Sequence, residues 1–331
     1  MTNKQLYLLI LPLLFFTFAC KTDHPLDKKE AVNSLKILNG DLINFAVNTS
    51  QKPWYRAMKF LLNQSSSPLP FKNDTSGNFF NSLRYSFADK KGFYVWDTVS
   101  GTFVKQKDTS MILIYFPLPG KMESYCKFFL YAYEMQDTRS RPGFPIDIRA
   151  KLFIDNHEEL SLNHHALIAE NLLSVVSSDL HCSDFHLSFH MAREGDFSQK
   201  SGLVKGDLQL RDGKQEIISA EYNIDIDYHP PVTYSFQYIR LMMKVFESKL
   251  ECNINYGTIS PTSNEYANEF NKNSGILIKN LENSGIIGNV VLAPEDGKDK
   301  LDFFIRYSDG TMSKLSDQII ILKKILNKKY S

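Results

Sequence analysis

The sequence is poor in cysteine: there are four in 331 residues, and Cys20, Cys126, Cys182 and Cys252 lie far apart. If Cys20 is committed elsewhere, the other three permit at most one intramolecular disulfide, and thiols so widely spaced read as small buried apolar residues. Excess charge is also lacking, since 38 Lys and Arg against 37 Asp and Glu leave a net charge of +1. A chain with neither a basic excess nor a long basic run has no dominant attraction for nucleic acid or an anionic membrane surface, so no nucleic-acid partner is expected. Catalytic signatures are missing too. No Gly-x-Ser-x-Gly elbow, phosphate-binding Gly-x-x-x-x-Gly-Lys loop or His-Glu-x-x-His pair occurs, and no repeated strand and helix units suggest a nucleotide-binding sheet. No cofactor is expected. Two carboxylates brought together by a fold suffice to hydrolyse a glycosidic bond, but the sequence offers many such pairs without selecting one.

The long apolar run, Leu6 to Phe18, falls short of the roughly 20 residues that a spanning helix needs. Lys4 precedes it and Thr17-Phe18-Ala19 leads from it into Cys20. This is the pattern of a lipoprotein signal peptide over residues 1–20, with Cys20 as the lipid acceptor. A lipobox prefers an aliphatic residue where Thr17 stands and a small one where Phe18 stands, so the match is relaxed. An ordinary cleaved secretory signal, giving a secreted protein, is the alternative. Polar Lys21 to Pro25 then reads as a tether. Each buried methylene contributes about 0.8 kcal/mol, so the several acyl chains of a lipoprotein cysteine make a permanent anchor.

Residues 21–90 read as tether, helical segment and loop. Asp27 with Glu30 three residues on resembles a capping box, and Leu35, Leu38, Leu42 and Phe45 lay one apolar stripe along a helix. A second helix starts at Pro53 and turns Ala57, Met58, Leu61 and Leu62 to a core. Ser65 to Gly77, rich in Ser, Pro, Asn and Asp, reads as a long surface loop.

Residues 91–331 read as a mainly antiparallel β body with a C-terminal helix. Gly92 to Asp97, Thr102 to Lys105 and Met111 to Phe116 are successive strands of a meander. Residues 126–135 are apolar on both alternating sets and predict a strand covered on both faces, whereas Ile146 to Ile154 alternates and predicts one buried face. A hairpin is expected around Asp212-Gly213, joining Val204 to Arg211 with Ile218 to Asp227. Its acidic row, Glu221, Asp225 and Asp227, is spread along a strand and does not converge on one ion as a calcium loop does. Three strands follow between Ile276 and Tyr307, and Ser316 is expected to cap a closing helix with Ile319, Leu322 and Leu326 inward. The lysines late in that helix, Lys323, Lys324, Lys328 and Lys329, favour the helix dipole and also suit anionic lipid head groups.

Metal-competent residues concentrate in one place: His181, Cys182, Asp184, His186 and His190, with His164 and His165 earlier. The alternation of Phe185, Leu187, Phe189 and Met191 is that of a strand, which puts His186 and His190 roughly 14 Å apart. They cannot share an ion; Asp184 and His186, roughly 7 Å apart at the backbone, could do so only if the His181-Cys182 turn or another strand folded over them, so the histidines read as surface residues of a sheet, with no metal site expected. Trp54, Trp96 and the tyrosines offer material for a sugar platform, although aromatics at strand positions ordinarily serve core or cross-strand packing.

Gly92-Phe93-Tyr94-Val95-Trp96-Asp97, Phe116-Pro117, the Asp-Gly and Asn-Ser-Gly turns and the leader together resemble uncharacterised lipoproteins of Bacteroidota, in which a Gly-x-Tyr-x-Trp strand opens an antiparallel β body. The resemblance lies mainly in residues 90–230 and brings no catalytic residue with it. The acidic cluster found after the cysteine of surface-exposed lipoproteins of that group is poorly matched by Lys21-Thr22-Asp23-His24, so periplasmic and surface facing both stay open. The expectation is an α+β fold in which a long antiparallel meander packs with N-terminal and C-terminal helices on one face. Its expected role is a non-catalytic, lipid-anchored protein of the cell envelope, at the outer membrane. It would reach the membrane through lipid at Cys20 and bind a partner or an apolar ligand; the alternative is an envelope hydrolase acting on glycan or cell-wall substrate.

Overall fold

Asp27 begins the first helix by accepting a hydrogen bond from the Glu30 amide at 2.8 Å, which satisfies one of the free N–H groups of the first turn. This computed structural model describes residues 23–70, 86–138, 143–170, 172–195, 200–229, 233–260, 265–295 and 301–319. The leader and Cys20 lie outside them. A short strand, β1 (His24–Pro25), precedes α1 (Lys28–Gln51), and Pro53 opens α2 (Pro53–Asn63) as expected, since a proline loses nothing in a first turn. The other helices are short: α3 (Phe87–Lys90), α4 (Tyr266–Asn273) and α5 (Leu315–Gln318). Among the described residues no helix is long and apolar enough to cross a membrane.

The strands are β2 (Gly92–Asp97), β3 (Thr102–Lys107), β4 (Ile112–Leu118), β5 (Lys121–Gln136), β6 (Phe144–Ile154), β7 (His157–Ala169), β8 (Leu172–Cys182) and β9 (Phe185–Glu194). They continue as β10 (Ser201–Asp212), β11 (Gln215–His229), β12 (Thr233–Val245), β13 (Ser248–Asn255), β14 (Ser274–Asn280), β15 (Gly285–Pro294), β16 (Leu301–Arg306) and β17 (Met312–Lys314). From β4 to β17 each strand pairs antiparallel with the next, so the fold is the α+β meander that the pattern predicts. Two pairs are parallel, β1 with β15 and β2 with β4.

The β2–β4 pair corrects the expected order at the start of the sheet, because β4 returns beside β2 and leaves β3 outside. Lys105, Gln106 and Lys107 explain this: β3 is mostly exposed, and a polar, charged strand suits a sheet edge. Strand β5 is also corrected, having one covered face. Ser124, Cys126, Phe128 and Leu130 are buried, and a bulge at Tyr131 moves the register from Leu130↔Ala150 to Ala132↔Arg149. Its second apolar set forms a cross-strand aromatic surface, with Phe129 stacked on Tyr131 at 5.6 Å and edge-on to Phe153 at 5.6 Å. Neighbouring Tyr115 stacks on Tyr125 at 5.0 Å.

Three further expectations shift. The loop after α2 is not wholly at the surface: Leu69 is buried in the main core, and Ser66 Oγ accepts from the Phe103 amide at 3.0 Å, fastening the segment to β3. The hairpin at Asp212-Gly213 turns one residue later, because Asp212 pairs with Gln215 and the central residues are Gly213-Lys214. Of these only Gly213 has positive φ, as in the turn class that takes glycine first. Ser316 is buried inside α5, whose cap position is Lys314. The rest of the expected closing helix, with Leu322, Leu326 and its lysines, lies outside the described residues.

Both long helices lie against one face of the sheet. Ala57 and Leu61 of α2 pack with Ile112, Phe116, Phe128 and Leu152, and the start of α1 packs Ala31 and Leu35 on Ile278, Ile287 and Ile305. Between these, Leu38, Leu42 and Phe45 meet Leu187, Leu210 and Ile217. The sheet thus wraps around a helical arm that touches it near both ends and in the middle. Each large apolar side chain buried this way contributes about 1.5–3 kcal/mol. At the α1–α2 junction Lys52 lies 3.0 Å from both carboxylate oxygens of Asp184 and 3.7 Å from Asp212, joining the arm to two hairpin turns. The Asp184 contact raises the lysine pKa and lowers that of the carboxyl.

Candidate functional site

Where α2 crosses β5 to β8, side chains from both layers leave a cavity of about 570 Å³. Trp54, Met58 and Leu62 line it from the helix, and Phe128, Ile148, Ala150, Leu160, Leu162 and Leu180 from the sheet. Helical spacing puts residues 54, 58 and 62 on one face, and strand alternation puts 148 and 150, and 160 and 162, on the same side of their strands. The volume falls in the range of small-molecule sites, about 300–1,000 Å³. A second cavity, about 360 Å³, lies under α1 and α5, between Leu38, Leu42 and Leu315 and the inner faces of β11 to β16. Neither wall contains a carboxylate among the described residues.

The two cavities lie on one register row. His164 of β7 is opposite Ser178, which is opposite Phe189, followed by Leu208, Ala220, Met243, Leu250 and Ile278. The next row is Ala166, Val176, Met191, Gly206, Tyr222, Leu241, Cys252 and Ile276. Eight strands spaced about 4.8 Å apart make an apolar strip of about 34 Å along the sheet. Phe189, Leu208, Met243, Met191, Tyr222 and Leu241 in it are half-buried. Gly206 is needed here, since a Cβ at this position would come within 2.5 Å of the Tyr222 hydroxyl that lies over it.

The polar groups that line the first cavity are Tyr55, Lys59 and Asn63 on the helix and His164 and Ser178 on the sheet. His164 Nε2 is 3.1 Å from the Pro145 carbonyl, an acceptor only, so this nitrogen carries the proton; Nδ1 then accepts from Ser178 Oγ at 2.7 Å. Burial holds the His164 pKa below the ordinary histidine value, so the ring is neutral at neutral pH. The buried indole N–H of Trp54 has no acceptor among the described residues. An unsatisfied donor of this kind costs about 1–3 kcal/mol.

The three described cysteines are buried and free, so no disulfide joins them. Burial, with a smaller contribution from Asp155, pushes the Cys126 thiol up to about 12, and burial with Glu159 nearby does the same for Cys182. Protonated thiols of this kind are neither nucleophiles nor metal ligands.

Of the metal-competent residues, Cys182 points to the core and Asp184 is held by Lys52. His181 and His186 do come together. The turn Ser183-Asp184 reverses the chain, so β8 and β9 form a hairpin in which His181 faces His186, and Asp179 two residues back completes a group on the outer face. Asp179 was not among the residues the sequence singled out; its place two residues before His181 on one strand, with His186 across a two-residue turn, is the signal that finds it. His190 belongs to another row, with Asp207 and Glu221 along a shallow groove of about 470 Å³ over β10 and β11.

Comparison of the chain with known protein families, curated proteins and solved structures finds no match.

Proposed function

We propose that the protein is a non-catalytic, lipid-anchored protein of the bacterial cell envelope, held at the outer membrane through Cys20. It takes up an apolar ligand, of the acyl-chain class, between α2 and the inner face of the sheet. The observation that carries this reading is the apolar cavity of about 570 Å³ opening on a register row that stays apolar from Phe189 to Ile278. Two adjacent apolar rows with half-buried side chains form a larger surface than a finished core leaves open, and patches of this kind mark binding grooves. The neutral His164–Ser178 pair, with Lys59 and Asn63 on the helix side, supplies sparse polar contacts, enough to orient an ester or carboxyl group at one end of an apolar chain.

Titration of the full chain with an environment-sensitive fluorescent fatty acid tests the reading. Saturable binding that unlabelled fatty acid displaces is expected, and a linear, non-displaceable signal contradicts it. The anchor is tested separately by Cys20→Ala, which is expected to move the protein from the membrane pellet to the soluble fraction. Unchanged sedimentation contradicts the lipid anchor and leaves the cavity reading intact.

A further inference from the structure

We infer that the β8–β9 hairpin carries a binding site for a divalent transition ion on the outer sheet face, built from Asp179, His181 and His186. One ligand atom from each of the three lies within 4.8 Å of the others. The two imidazoles, opposite each other in the register, stack with ring centres 4.0 Å apart and planes 9° from parallel. His186 Nε2 stands 3.3 Å from Asp179 Oδ1. Zinc bonds of about 2.0–2.1 Å in a tetrahedron put neighbouring ligand atoms about 3.3 Å apart, so this pair already has the spacing of two ligands to one ion. His181, which is exposed, reaches the same ion by turning its ring out of the stack.

The donor set selects the class of ion. Two imidazoles with one carboxylate suit zinc, copper or nickel better than magnesium or calcium, which prefer all-oxygen sites. Three protein ligands leave a fourth position for water or for an atom of another molecule. Uncharged Ser161, Asn163 and Ser188 are the register partners of His181 and Asp179, and Arg211, the register partner of His186, has Glu216 opposite it on β11. The site lies on the face away from the cavity and stands independently of the proposed ligand.

Zinc chloride titrated into the full chain against a chromophoric chelator, with the imidazole NMR signals followed, is the test. One equivalent is expected to bind. The signals of His181 and His186 should shift while that of His190 does not, and His186→Ala or Asp179→Asn should weaken binding about tenfold or more. His190→Ala should bind as the parent does. No binding in competition with the chelator, or shifts spread over the other histidines, overturns the site. So does zinc affinity unchanged in His186→Ala when its melting curve matches the parent.

Discussion

Ala150→Phe is expected to weaken binding of an apolar probe by at least about tenfold, a loss of about 1.4 kcal/mol. Ala150 is buried on the inner face of β6 and lines the cavity beside Ile148, Leu160 and Leu162, so a ring at this position takes the volume that a ligand needs. Because the ring enters open space, its cost to folding should stay at or below the roughly 1–3 kcal/mol of overpacking a full core. Lys151→Ala separates the effects: Lys151 pairs with Glu158 on the other face at 2.7 Å, and losing an exposed pair of this kind should leave probe affinity unchanged. Parental affinity in Ala150→Phe would show that the cavity under α2 does not hold the probe.

The largest expected loss of stability is from Phe116→Ala, about 3–5 kcal/mol. Phe116 is fully buried on β4 and stacks on Phe60 of α2 at 5.6 Å, while Phe103 of β3 meets it edge-on at 6.2 Å. It therefore joins the edge strand, the central sheet and the helix, and a void here has rings on several sides that cannot all close on it. A fall in the denaturation midpoint with unchanged denaturant dependence is the expected signature. A change under about 1 kcal/mol would mean that Phe116 is not packed beneath α2 as described, and the placement of the helix over the cavity would lose its support.

The elements that sequence pattern reveals best are those whose burial follows one period. In α1 the stripe of Leu35, Leu38, Leu42 and Phe45 and the cap at Asp27 are both legible, and in β6 and β11 the alternation matches the two faces. Strand β8 illustrates the opposite case. Ser178 occupies an inward position because it hydrogen-bonds His164, so the apolar alternation breaks where the cavity wall needs polar atoms. The β2–β4 pairing was hidden because a parallel neighbour leaves no turn between adjacent segments, and in β5 the bulge at Tyr131 and the outward aromatic surface imitated a doubly covered strand.

The cavity itself was not legible residue by residue. Its walls come from α2 and from β5 to β8, segments far apart in sequence, each of which reads as ordinary core. What sequence does carry is the layering, a helical arm laid on one face of the sheet. The outer-face histidine group was hidden by the turn: without the Ser183-Asp184 reversal, His181 and His186 are five residues apart on one line and share nothing.

Native mass spectrometry of the Cys20→Ala chain, expressed in its envelope and released without detergent, decides whether the protein carries an apolar ligand, because any lipid it retains is non-covalent. A stoichiometric adduct whose mass identifies an acyl-containing molecule is expected in the Cys20→Ala chain, and its loss when Ala150→Phe is added. A protein that carries no apolar adduct, and that takes up none when offered fatty acid or phospholipid, would contradict it.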